Sequence, residues 1–144
     1  MKTYAPKIAE IKRERHVVDA SGKVMGRLAS KVASLLIGKH KPVFSPNADV
    51  GDFVIVTNVE KLRVTGQKMK QKLYYRHSGY PGGFRAVALE DLVEAHPTRA
   101  FEHAVKGMLP HTRLGARMLK RLQVYAGDAP TNVVKVKSGK ASEV

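Results

Sequence analysis

Cysteine is absent from this 144-residue sequence. Its absence excludes disulfide scaffolds, thiolate nucleophiles, and zinc or iron–sulfur sites with cysteine ligands. A chain that needs no disulfide is typical of a reducing compartment.

Long hydrophobic runs are also missing. The longest apolar stretches, at residues 32–37 and 53–56, are too short to cross a bilayer, and residues 1–15 carry basic side chains without the apolar core of a signal peptide. Hydrophobic residues still make up 43% of the chain. This is enough for a core in a chain of one-domain length, so we expect a soluble domain with no membrane partner.

Acidic residues are scarce relative to basic ones. The chain has 26 Lys and Arg against 12 Asp and Glu, a net charge of +14 and a pI near 10.2. Residues 61–76 and 106–121 contain no acid, whereas acids concentrate within residues 89–102. A polyanion is the natural partner of such a chain, and the acidic stretch is expected to face solvent or protein.

The first half of the chain has the pattern of an α/β unit. A strand is predicted at residues 16–20 and a loop at 39–51, and the β-branched run at 52–57 is typical of a strand covered on both faces in a mainly parallel sheet. Between them a helix ending at Gly38 is predicted from apolar residues on one face. Those residues are Leu28, Val32, Leu35 and Leu36.

The second half is predicted to continue with short elements. Its strands are expected at 62–66, 72–76, 84–88 and 123–126, with a glycine-rich loop at 78–83. Its helices are expected at 89–95, from Pro97 to Pro110, and at 113–122. A basic extension at 1–15 and an extended or disordered basic tail at 128–144 flank a domain at 16–127.

Two segments stand out as candidate nucleic-acid contacts. Arg113, Arg117 and Arg121 recur every four residues, so on a helix they would line one edge with no acid to neutralise them. A solvated helix face is the alternative, and a membrane-surface helix would carry Trp or Phe. Residues 68–83 join cations to tyrosines and glycines, a composition that suits irregular RNA. An ordinary hairpin with core tyrosines is the alternative there.

Other chemistries find little support. A strand, glycine turn and helix at residues 16–37 match a phosphate cradle in topology, but the P-loop and G-x-G-x-x-G patterns are missing. The six histidines lack the spacing of a metal site, so no metal and no cofactor are predicted. A Ser–His–Asp triad has no positive indication.

The motifs, taken in order, resemble the L-thirteen family of large-subunit ribosomal proteins, in a compact bacterial form. The most specific strings are Tyr74-Tyr-Arg-His-Ser-Gly-Tyr-Pro-Gly-Gly83 and His103-Ala-Val-Lys-Gly-Met-Leu-Pro110. They follow Val18-Asp-Ala-Ser-Gly22 and Gly38-Lys-His-Lys-Pro42. His16 departs from the family, where many members carry an aromatic residue.

The resemblance implies a single three-layer α/β/α domain with a mostly parallel central sheet. It also implies a non-enzymatic cytoplasmic protein of the large ribosomal subunit that binds rRNA early in assembly, beside neighbouring ribosomal proteins. A free nucleic-acid chaperone or nucleoid protein and a nucleotide-dependent enzyme are the rival hypotheses. The predicted RNA contacts are Arg27, Lys39, His40, Lys41, Lys68, Lys70, Lys72, Tyr75, Arg76, His77, Ser78, Gly79, Tyr80, Gly82, Gly83, Lys106, Arg113, Arg117, Lys120 and Arg121.

Overall fold

The described part of the chain contains five strands in two separate sheets. The computed structural model describes residues 6–7 and 10–130. The strands are β1 (Arg15–Asp19), β2 (Phe53–Thr57), β3 (Leu73–His77), β4 (Phe84–Ala88) and β5 (Leu122–Val124). Strands β1, β2 and β5 form a parallel sheet with β2 in the middle, and β3 pairs antiparallel with β4. The prediction of a mixed α/β domain with a mainly parallel sheet is confirmed.

Five α-helices, besides a short 3-10 helix at Val59–Lys61, lie between the strands in these residues. They are α1 (Met25–Ile37), α2 (Lys68–Gln71), α3 (Leu89–Ala95), α4 (Pro97–Met108) and α5 (Arg113–Leu119). Among the described residues, no helix is long and apolar enough to cross a bilayer. The ends of α1 and α4 follow the predicted signals, because Gly38 caps α1 in the left-handed conformation (φ 85°) and proline begins α4.

The core lies between the parallel sheet and the helices. Side chains of β1 and β2 that share one face, such as Val18, Val54 and Val56, join one buried cluster with residues of α1, α3, α4 and α5. Leu36 and Phe101 are fully buried in it. The apolar face predicted for α1 therefore forms part of the core.

Three predicted elements differ from the structure. The segment predicted as a strand at residues 62–66 makes a single β-bridge, in which Arg63 pairs with Val24. It does not continue as a strand, since Gly66 takes a positive φ and turns the chain. The helix predicted to reach residue 122 ends at Leu119, and strand β5 begins earlier than predicted. Helix α2 was missed, because four residues carry no periodic signal. The predicted tail from residue 131 onward and much of the N-terminal extension lie outside the described residues.

The segment before β2 docks closely on the end of α1. The Asp52 N–H donates to the Leu35 carbonyl at 3.2 Å, and a Cβ atom on Gly51 would lie 1.7 Å from the Leu36 carbonyl oxygen. Only glycine therefore permits this approach of two backbones.

We expect Gly51→Ala to lower the free energy of unfolding by about 3 kcal/mol, because the added methyl group overlaps a backbone carbonyl that is fixed in α1. Urea unfolding followed by circular dichroism measures the change. The matched control is Gly107→Ala, where a Cβ atom meets nothing within 4 Å. This exposed helical position should gain up to about 1 kcal/mol. Equal stability of the two variants would contradict the proposed close packing.

Candidate nucleic-acid interface

Most of the predicted cationic contacts lie at the surface without an acidic partner. Within residues 6–7 and 10–130, ten of them are exposed and form no ion pair. They are Arg27, Lys39, Lys68, Lys70, Lys72, Arg76, Lys106, Arg113, Arg117 and Lys120. The non-cationic predicted contacts of residues 75–82 are exposed as well, and Gly83 is half-buried.

The tip of the β3–β4 hairpin holds two arginines side by side. Arg76 and Arg85 are directly paired across the two strands. They line a cavity of about 330 Å³ with Ser78, Gly82 and Gly83. Like charges in opposite positions of a strand pair repel each other, so an anion placed between them would stabilise this arrangement. Arg85 is not among the predicted contacts, although the alternation of residues along the predicted strand at 84–88 offers a signal for it.

A wide groove brings together cations that are distant in sequence. Arg27 of α1, Lys68 of α2 and Lys72 beside β3 line it together with Arg63. The groove has a volume of about 1010 Å³, and none of the described residues that line it is acidic. Sequence analysis counted Arg63 in a basic segment and did not name it as a contact.

Helix α5 presents two of the three predicted arginines to solvent. Arg113 and Arg117 are exposed, while Met118 is buried and Leu114 packs partly against the core. Thr112 caps the helix by accepting a hydrogen bond from the Gly115 N–H at 3.4 Å. The amphipathic pattern predicted for this segment is confirmed over the first two arginines.

Arg121 corrects the prediction of an exposed arginine row. It lies beyond the end of α5 and its side chain is 8% exposed. Its guanidinium donates to both carboxylate oxygens of Asp49, to the Leu36 carbonyl at 3.1 Å and to the Asp52 carbonyl at 3.3 Å. Arg13 lies 3.5 Å from the same Asp49 carboxylate. Arg121 is therefore a structural residue of the interior.

Lys41 and His40 are also engaged within the protein. The Asp52 carboxylate is fully buried and accepts hydrogen bonds from the Lys41 ammonium and, at 2.9 Å, from the Glu14 N–H. Its Oδ2 atom lies 2.8 Å from Nε2 of His40 and 3.0 Å from Nε2 of His16. The Lys41 ammonium donates as well to the carbonyls of residues 12 and 50. Lys41 is thus half-buried and ion-paired, contrary to the prediction of a free contact.

The same cluster contains potential metal ligands that spacing along the sequence did not indicate. Ligand atoms of His16, His40 and Asp52 lie within 4.8 Å of one another. Because Lys41 already neutralises the carboxylate and four N–H groups surround it, the cluster is satisfied by hydrogen bonds alone.

The half-buried Asp49 carboxylate and the fully buried Asp52 carboxylate are both held in the ionised form. Burial opposes ionisation of Asp49, but hydrogen bonding and charge from Arg121 outweigh it and lower the pKa of Asp49 below its usual value. Burial likewise opposes ionisation of Asp52, and the hydrogen bonds from Lys41, the Glu14 N–H and His16 lower the pKa of Asp52. Each carboxylate is therefore a source of acid-sensitive stability.

The fold and its surface place the chain in the class of small, strongly basic α/β proteins. A family model described as Ribosomal protein L13 matches residues 13–131. Proteins named large ribosomal subunit protein uL13 match too: those of Roseiflexus castenholzii and Symbiobacterium thermophilum are 58% and 56% identical to this chain. The first alignment covers 88% of this chain and 87% of the relative, and the second 88% of each. The chain belongs to the ribosomal protein L13 family, as the motifs predicted.

Family membership decides between the rival functions. It identifies the chain as a structural protein of the large ribosomal subunit, and so of the cytoplasmic ribosome, and not as an enzyme. The nucleotide-dependent enzyme is therefore wrong, and membership of this family favours the ribosomal hypothesis over the free nucleic-acid chaperone.

We expect Arg121→Ala to cost about 3 kcal/mol of folding free energy, because it removes the nearer of the two arginines that pair with Asp49 and leaves the buried Leu36 and Asp52 carbonyls without this donor. The control is Arg117→Ala, which removes the same charge from an exposed position and should change stability by less than about 0.5 kcal/mol. Thermal and urea unfolding of both variants measure the difference. An Arg121→Ala protein as stable as Arg117→Ala would show that the buried pair contributes nothing.

Stability should fall as the pH decreases below the ordinary aspartate pKa of 3.8. The folded-state pKa values of Asp49 and Asp52 are depressed, so their contribution is complete above 3.8 and is lost as the pH approaches the depressed values. The Asp52→Asn variant should lose less unfolding free energy below pH 3.8 than the parent protein. The Glu60→Gln variant, changed at an exposed position, should lose as much as the parent. Urea unfolding at several pH values measures the slopes, and identical profiles would contradict the assignment.

Proposed function

We propose that the chain binds large-subunit rRNA through phosphate and ribose contacts and supports early assembly of the subunit. The observation that carries this proposal is the set of ten exposed cations without an acidic partner. A phosphate can bind these side chains without the free-energy cost of breaking an ion pair within the protein. Phosphate contacts of this kind supply most of the affinity of a nucleic-acid complex.

Three basic surfaces support the proposal. They are the groove that contains Arg27 and Arg63, the arginine pair of the hairpin tip, and the exposed arginines of α5. Arg121 is withdrawn from the interface, and so is Lys41, because each already binds a carboxylate. His40 keeps an exposed fraction of 36% and remains a candidate contact.

The glycine-rich end of the hairpin suits close approach by RNA. Gly79 and Gly82 have positive φ angles of 88° and 70°, and a Cβ atom on either would meet nothing within 4 Å. Without side chains there, the backbone is open to ribose and phosphate groups. Shape-dependent contacts of this type are usual in RNA recognition.

Acidic side chains concentrate on α3, where Glu90, Asp91 and Glu94 are exposed. Phosphates would repel this part of α3, so we assign it to solvent or to neighbouring ribosomal proteins. Glu102 of α4 is exposed as well, but it lines a cavity with Lys106 and Lys120 and so lies beside two of the proposed contacts.

The buried core supports a role at an early stage. The core cluster joins the parallel sheet to α1, α3, α4 and α5 within this chain. A protein that folds around its own core can present its cations before its neighbours arrive, and so can hold rRNA segments in place during assembly.

Binding to a large-subunit rRNA transcript should weaken about a thousandfold between low and near-physiological salt if about six phosphates are neutralised. Replacing Arg113 and Arg117 together by Ala should reduce the salt slope by about two. The control replaces Arg15 and Arg99, exposed cations that are not among the predicted contacts, and should leave the slope unchanged. Filter binding across a salt series measures all three proteins. Salt-independent binding would overturn the proposed function.

A further inference from the structure

The outward face of the β3–β4 hairpin is apolar where a solvated strand face is normally polar. Alternation along β3 places Leu73, Tyr75 and His77 on one face, and the register places Phe84 opposite His77 on that same face. Leu73, Tyr75 and Phe84 are 43%, 67% and 60% exposed. We call these four residues the hairpin platform.

The opposite face of the hairpin packs against the protein core at Tyr74. Tyr74 packs against the core and makes an edge contact with His103, with ring centroids 4.9 Å apart. The inward face therefore supplies the anchor of the hairpin, and burial within this domain does not explain the aromatic residues of the platform. Exposed apolar patches of this kind mark binding surfaces.

The two exposed rings are already arranged for stacking. The ring centroids of Tyr75 and Phe84 lie 5.4 Å apart, with 25° between the ring planes. The two rings are stacked on each other, so each ring keeps its outer face free, and a free aromatic face accepts a nucleobase of any identity.

The surrounding charge favours RNA over an apolar protein partner. Residues 61–89 contain seven Lys or Arg and no acid. The Arg76–Arg85 pair lies on the reverse face of the same strands, where a backbone phosphate would relieve its repulsion. The cores of protein–protein interfaces are depleted in charge, whereas single-stranded nucleic-acid sites combine cations with aromatic rings.

We propose that unpaired nucleobases of rRNA stack on the hairpin platform, on Tyr75 and Phe84, while a neighbouring phosphate binds between Arg76 and Arg85. This inference rests on the proposed function and names the ligand of one of its surfaces. The structure thus assigns the hairpin to an unpaired segment, in contrast to the phosphate contacts proposed for α5.

The test replaces each ring by an aliphatic side chain in the full-length chain. Tyr75→Leu and Phe84→Leu should each weaken binding to a large-subunit rRNA transcript about tenfold to a hundredfold, with the salt slope unchanged because no charge is lost. Tyr75→Phe keeps the ring and should bind as the parent does. The matched control is Val87→Ala, an exposed apolar residue on the reverse face. Thermal unfolding of every variant checks that the fold is intact.

Ultraviolet cross-linking of assembled large subunits provides the second readout. We expect nucleotide adducts on the peptides that carry Tyr75 and Phe84. If wild-type protein binds the transcript and the leucine variants bind equally well, stacking is overturned and the proposed function stands. If the leucine variants keep rRNA affinity but fail to enter subunits, the platform binds protein and the inference is wrong. If wild-type protein does not bind the transcript at all, the proposed function fails first.

Discussion

The contact between Arg121 and Asp49 ties together parts of the chain that are 72 residues apart in sequence. The same guanidinium reaches the last turn of α1 through Leu36 and the entry of β2 through Asp52. Backbone carbonyls at these two places are buried acceptors that need a donor, and one planar, five-donor group serves both while it neutralises a carboxylate. The docking of α1, β2 and β5 depends on this side chain.

A second charged cluster lies immediately next to it. Asp52 receives Lys41 and two histidines on its side chain, while its carbonyl accepts from Arg121. Charge-assisted hydrogen bonds to the side chain and to the carbonyl of Asp52 therefore fix the loop before β2. The preceding residue, Gly51, lies so close to α1 that no side chain fits there. A strongly basic protein has few acids, and here two of them are used to fix cations inside the domain.

Basic residues accordingly serve two purposes in this chain. Those paired with Asp49 or Asp52 stabilise the fold, and the ten exposed ones without an acidic partner support the proposed rRNA interface. The hairpin adds a different kind of surface, because Tyr75 and Phe84 offer aromatic faces on one side of the strands and Arg76 and Arg85 lie on the other. Contacts to phosphates would supply affinity, and stacking of bases would position the RNA. The fold places the side chains for these two contributions on different elements.

Local pattern alone determined a large part of this structure. The apolar stripe of α1, the stop at Gly38, the β-branched run of β2 and the proline that begins α4 each act over a few residues, so the sequence predicted them and identified the family. Which cations are exposed and which are buried in ion pairs could not be predicted in this way. Arg113, Arg117 and Arg121 recur at one spacing, yet α5 ends at Leu119. Arg121 therefore lies beyond the helix, where it pairs with the carboxylate of Asp49, which is distant in sequence. The clustering of His16, His40 and Asp52, the opposition of Arg76 to Arg85 and the outward face of the hairpin likewise exist only in three dimensions. Tertiary structure decided these points because burial and long-range ion pairs depend on neighbours in space, which spacing along the chain does not encode.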